Sequence, residues 1–151
     1  KSGDIQVMSA GTGILHSEFN ADTELDVKLL QIWLFPNKKN VTPRYDQLPI
    51  RDLEVKNEFY HILSPNEEAQ GVWIDQNSWF SMGEFSEHKT IDYKLNSSKN
   101  GVYAFMIDGA ATVEGQKLEK RDGFGIWDTD SISISVEKKS RILLMEVPMV
   151  I

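Results

Sequence analysis

The sequence contains no cysteine, which excludes disulfide scaffolds, thiolate metal sites and cysteine nucleophiles. No stretch approaches the roughly eighteen consecutive apolar residues that a transmembrane helix needs. Basic residues are in deficit: 16 Lys and Arg stand against 23 Asp and Glu, a net charge of −7. That balance speaks against a nucleic-acid groove or an anionic-membrane binder, both of which need clustered cations. Histidine is scarce, with three in the chain, which limits any imidazole-based site. Nothing at the N-terminus has the pattern of a secretory signal, so the expected address is intracellular and cytoplasmic. The chain opens Lys1-Ser2-Gly3-Asp4 without an initiator Met, as a processed N-terminus or a sequence starting inside a domain would.

What is present is a folded chain. Its 151 residues are 40% hydrophobic and 10% aromatic, enough for one medium domain or two small ones and too apolar for a disordered tail. Long helical periodicity is absent, whereas short β-rich runs recur between turn signals. They fall at 5–8, 14–19 and 29–35, and then, from 59 onward, at 59–63, 72–75, 78–85, 90–95, 102–107, 110–113, 124–127, 131–136 and 141–147. Between the two groups, Thr42-Pro43 and Leu48-Pro49 punctuate an extended, irregular stretch, because proline fixes its own φ and restricts its predecessor. Asp108-Gly109, Glu114-Gly115 and Asp122-Gly123 are hairpin signals. Ser131-Ile132-Ser133-Ile134-Ser135-Val136 alternates cleanly, so one face is buried and the other wet.

These runs predict an all-β sandwich or barrel, a jelly roll foremost. They are unevenly spread, and the three runs before residue 36 rarely enclose a core unaided. Residues 1–45 therefore read as the last part of a domain begun earlier, 46–58 as a linker and 59–151 as a complete barrel.

The leading candidate for chemistry is Gly13-Ile14-Leu15-His16-Ser17-Glu18. On a strand, period two puts His16 and Glu18 on one face. Imidazole nitrogen beside carboxylate oxygen suits a divalent transition metal such as iron, copper, manganese or nickel. The bland alternative is an exposed, unliganded pair, since a resident metal needs about three or four protein ligands. His61, within Phe59-Tyr60-His61-Ile62-Leu63, reads as a half-buried strand histidine with a hydrogen-bond partner. His88, in Ser86-Glu87-His88-Lys89, reads as part of a solvated turn. Gly11-Thr12-Gly13 lacks the spacing of a phosphate loop or a dinucleotide fingerprint. Ser17 beside His16 points to the opposite face of a strand, so that pair is no nucleophile and base.

The segment from Gly3 to Glu18, with Leu30-Gln31-Ile32-Trp33, Thr42-Pro43-Arg44-Tyr45 and, more loosely, Gly123-Phe124-Gly125-Ile126-Trp127-Asp128, resembles the pirin family of the cupin superfamily. The resemblance implies a bicupin, two jelly-roll barrels in one chain, with a metal in the N-terminal barrel. His16 and Glu18 match the later half of that family's ligand set, three histidines and a glutamate. The H-x-H pair that completes it has no counterpart here, and the second barrel of the family normally lacks ligands.

The resemblance further implies a quercetin 2,3-dioxygenase-type parent that opens a flavonol-like small molecule with O₂. The cofactor would be a divalent transition metal, iron foremost, with copper, manganese, nickel, zinc or cobalt as alternatives. His16 would be a neutral ligand, and Glu18 a ligand or the base that takes the substrate proton. For these 151 residues alone, the expectation is little metal affinity and no dioxygenase activity, with the missing strands supplied by a companion N-terminal fragment or a homo-oligomer. The alternative is a non-catalytic cupin binding module, or a pirin of the transcription-coregulator type.

Overall fold

The computed structural model describes residues 3–149. Its strands are β1 (Asp4–Ser9), β2 (Arg44–Pro49), β3 (Phe59–Ser64), β4 (Val72–Trp73), β5 (Trp79–Phe85), β6 (Lys89–Lys94), β7 (Asn100–Asp108), β8 (Ala110–Val113), β9 (Gln116–Glu119), β10 (Gly123–Ile126), β11 (Ser131–Val136) and β12 (Ser140–Pro148). A single turn of 3-10 helix covers Ile50–Asp52.

Two sheets carry the barrel. One has the order β10–β7–β12–β5–β3–β4 and the other β6–β11–β8–β9. Pairing is antiparallel throughout except between β3 and β4. In β11 the alternation works as its sequence demands. Ile132, Ile134 and Val136 are buried between the sheets, with Ile134 opposite Ile91 on one side and Val113 on the other. Ser131 and Ser133 face solvent. Burying each large aliphatic side chain contributes about 1.5–3 kcal/mol. Between β8 and β9 the chain reverses over Glu114 and Gly115, both at positive φ (47° and 79°). That is the backbone a two-residue type I′ hairpin requires.

The six-stranded sheet is covered on both faces. Ile142 and Leu144 of β12 point into the barrel with Val102, Ala104 and Met106 of β7. Leu143, out of phase with them, joins Ile62, Phe80 and Met82 in a second cluster on the outer face. Against that cluster pack Ile5 and Val7 of β1 and Leu48 of β2, from an antiparallel hairpin in which Asp4 pairs with Pro49 and Ser9 with Arg44. The N-terminal segment is thereby fastened to the barrel by apolar burial.

The structure corrects several expectations. Residues 14–19 and 29–35 form no strand. Their apolar pattern suits strands, yet no neighbour among the described residues pairs their backbone, and an unpaired strand has no ladder to hold it. Part of the stretch expected to be irregular is β2, an edge strand of a two-stranded sheet with Pro49 at its end, and edge strands tolerate the missing N–H of proline. Position 45, the expected end of the first unit, therefore lies inside a strand. β9 went unrecognised because Gln116-Lys117-Leu118-Glu119 has one buried residue, Leu118, among three exposed polar ones.

Candidate functional site

The turn before His16 is built as the glycines suggest. Gly13 N–H donates to Ala10 O at 2.7 Å, and Gly11 has φ +53° with space for no side chain, since a Cβ would fall 1.9 Å from Val41 O. Beyond the turn the chain runs irregularly, and His16 and Glu18 are both exposed. Among the described residues, neither has a hydrogen-bond or ion-pair partner, and no cluster of three or more His, Asp or Glu groups is able to hold a metal ion. Two open donors do not fit a resident transition metal.

The same segment exposes its apolar side chains. Leu15, Phe19, Trp33 and Phe35 keep more than four-fifths of their surface in solvent. Its far end is anchored: Asn37 N–H donates to Asp75 O at 2.7 Å, Lys38 pairs with Asp75 at 3.0 Å and Arg44 stacks 3.8 Å above the Trp73 ring.

The barrel contains a polar constellation that sequence reasoning missed. Glu146 of β12 is fully buried. Its Oε1 accepts from the backbone N–H of Asn96 (2.8 Å) and Ser97 (3.2 Å) and from Asn100 Nδ2 (2.7 Å). Its Oε2 accepts from Asn96 Nδ2 (2.8 Å) and the Tyr93 hydroxyl (3.2 Å). A carboxylate only accepts, and five donors satisfy it without a cation. A signal was present: in the run 141–147, Glu146 is in phase with Ile142 and Leu144, an inward position for a charge.

From Tyr93 the chain of contacts continues to Ser81 Oγ (3.4 Å) and on to His61 Nδ1 (3.0 Å). Burial pushes the Tyr93 hydroxyl pKa well up, its bond to Ser81 opposing and Glu146 adding to the rise. His61 thus has the partner expected of it. The residue is exposed by area, but the covered Nδ1 edge is enough for burial to lower its pKa, with the Glu146 charge opposing. His88 is exposed, its Nε2 3.0 Å from Ser135 Oγ, in keeping with a solvated turn.

Two facing sheets that enclose an apolar interior in jelly-roll order define a cupin-type domain. Residues 61–147 match the quercetinase C-terminal cupin domain, and residues 1–34 match pirin. The chain belongs to the pirin family. A quercetin 2,3-dioxygenase of Escherichia coli (strain K12) is 31% identical over 147 residues, which are 97% of this chain and 62% of that protein. A pirin-like protein of Caulobacter vibrioides is 29% identical over 146 residues, 96% of this chain and 62% of its own. The crystal structure of the bacterial pirin YhhW from Escherichia coli in complex with nickel(II) shares the fold with a TM-score of 0.87 at 30% identity, over 97% of this chain and 62% of that one. The chain thus spans less than two thirds of the length of each of these three relatives.

Proposed function

We propose that this chain works within a quercetinase-type pirin that opens a flavonol with O₂, and that His16 and Glu18 are two of its metal's ligands. The observation that carries the reading is the segment 13–35, which carries both donors and the uncovered side chains of Leu15, Phe19, Trp33 and Phe35. Those side chains suit strands packing over them, and such strands would bring the further ligands that the described residues lack. His16 would then bind as a neutral imidazole, which its second nitrogen can orient by a hydrogen bond. Glu18 would serve as a ligand or take the flavonol hydroxyl proton, a role open to a carboxylate at such a site.

The test is the protein of the whole open reading frame. It is expected to carry about one transition metal per chain and to consume flavonol with O₂ uptake and release of carbon monoxide. His16→Ala is expected to remove both metal and activity. In the 151 residues alone, metal binding is expected to be weak, and His16→Ala is expected to change stability by less than about 0.5 kcal/mol, as for any exposed unpartnered side chain. A metal-loaded whole protein that leaves flavonols untouched overturns the reading. The competing reading, a binding module without turnover, draws on the absence of a third donor among the described residues. It predicts ligand binding by the whole protein without O₂ uptake.

A further inference from the structure

The Glu146 network leads out of the barrel to an accessible nitrogen. Glu146 accepts from Tyr93. Ser81 Oγ lies 3.4 Å from the Tyr93 oxygen and 3.0 Å from His61 Nδ1, so a chain that donates toward the carboxylate at every step runs from His61 through Ser81 to Tyr93. Each hydroxyl has one hydrogen to give, and the buried carboxylate sets the direction in which all are given. Such a chain gives His61 its hydrogen on Nδ1 and leaves Nε2 as the acceptor.

His61, Ser81 and Tyr93 line a cleft of about 440 Å³ between β3, β5 and β6, where the two sheets part. That volume lies within the range of small-molecule sites. Phe59 and Ile91 supply apolar wall. Phe59 is held by edge-on contacts to Phe85 and Tyr93, with ring centroids 5.5 and 5.9 Å away. The charges around the cleft cancel, with Glu58 and Asp92 against Lys89 and Lys94, so the site favours a neutral ligand. A fixed acceptor beside a rigid aromatic wall selects a flat molecule with a hydroxyl to donate.

We propose that the C-terminal barrel holds a ligand site of its own, in which His61 Nε2 accepts a hydrogen bond from the hydroxyl of a small neutral phenol lying against Phe59 and Ile91. Tyr93 and Ser81 are positioning residues that transmit the orientation set by Glu146. The site is separate from the His16–Glu18 segment and stands whether or not a metal binds there.

The experiment is nuclear magnetic resonance on the unaltered 151-residue chain, with phenol and its methyl ether anisole as probes. The side-chain nitrogen shifts of His61 are expected to show the Nδ1–H form. Phenol is expected to move the His61 and Phe59 signals saturably, and anisole, with no hydroxyl, to bind about three- to tenfold more weakly, the loss of one ordinary hydrogen bond. His61→Leu is expected to erase the preference for phenol. Tyr93→Phe is expected to mix the two tautomers and to shrink the preference severalfold. Equal binding of phenol and anisole, or an Nε2–H tautomer in the unaltered chain, overturns the proposal. Neither of those two measurements depends on a variant folding.

Discussion

Tyr93 of β6 donates its hydroxyl hydrogen to the fully buried carboxylate of Glu146 of β12 at 3.2 Å, joining the two sheets through the barrel interior. The two strands are not paired with each other. The bond is thus a polar link across a space lined mainly by apolar side chains, Phe85, Met106 and Leu144 among them. Its consequences for stability can be measured directly.

Glu146→Ala leaves four N–H donors and one hydroxyl without their acceptor, the Asn100 amide and the Tyr93 hydroxyl on buried residues and the Asn96 and Ser97 groups nearer solvent. We expect a loss of about 3–4 kcal/mol, since each buried donor left unpaired carries an uncompensated desolvation penalty. Glu146→Gln keeps the shape but turns an amide N–H₂ toward donors, and is expected to cost about 1–3 kcal/mol. Urea unfolding at unchanged slope reads both. A loss below about 1 kcal/mol for the alanine variant would show that the network contributes little.

The pH dependence of stability carries a signature of His61. Burial lowers its pKa below the ordinary 6.5, so between the lowered value and 6.5 the unfolded chain binds more protons than the native one. Stability from this group is therefore complete above 6.5 and is lost as pH falls through the folded value. His61→Gln is expected to flatten that part of the profile between about pH 8 and about pH 5. Superimposable profiles for the two proteins would remove His61 as the cause.

Tyr60 behaves in the opposite sense. Among the described residues its buried hydroxyl has no hydrogen-bond partner, and burial, with Glu84 and Glu54 adding and Arg141 opposing, pushes its pKa up to about 12 from 10.0. The unfolded chain releases this proton at lower pH, so the contribution is complete below 10.0 and is lost as pH rises toward 12. Tyr60→Phe is expected to leave neutral-pH stability unchanged or raise it by up to about 1 kcal/mol, because no bond is broken. It is also expected to soften the alkaline decline. A clear drop in thermal midpoint at neutral pH would mean the hydroxyl has a partner in solution.

β11 offers a contrast between neighbours. Ile134→Ala opens a cavity between Ile91 and Val113 and is expected to cost about 2–5 kcal/mol. Ser133→Ala, one residue earlier on the wet face, is expected to stay within about 0.5 kcal/mol. Comparable losses for both would contradict the placement of that strand.

Much of the barrel was legible because its strands obey period two. The S-I-S-I-S-V alternation of 131–136 and the turn at Glu114-Gly115 each state their own local structure, and both are found. Residues 14–19 and 29–35 read wrongly for a reason equally physical. Alternation tells which side chains seek cover, but a strand exists only where another strand accepts its backbone bonds. His16 and Glu18 carry the family resemblance, and their neighbourhood is decided by what packs over Leu15 and Trp33. Glu146 was overlooked in a run of Ile, Leu and Met because its five donors lie about fifty positions away along the chain.

By itself the sequence determined the all-β class, the family and the inward face of most barrel strands, because periodicity and motif are properties of neighbouring residues. It also excluded thiol chemistry outright. Only the tertiary structure decided that β1 and β2 pair and close the outer face of the larger sheet. Only there do Glu146, Tyr93, Ser81 and His61 come from four strands into one line of hydrogen bonds. The reason is range: a hydrogen bond between strands depends on how the sheets stack, and no local pattern encodes that.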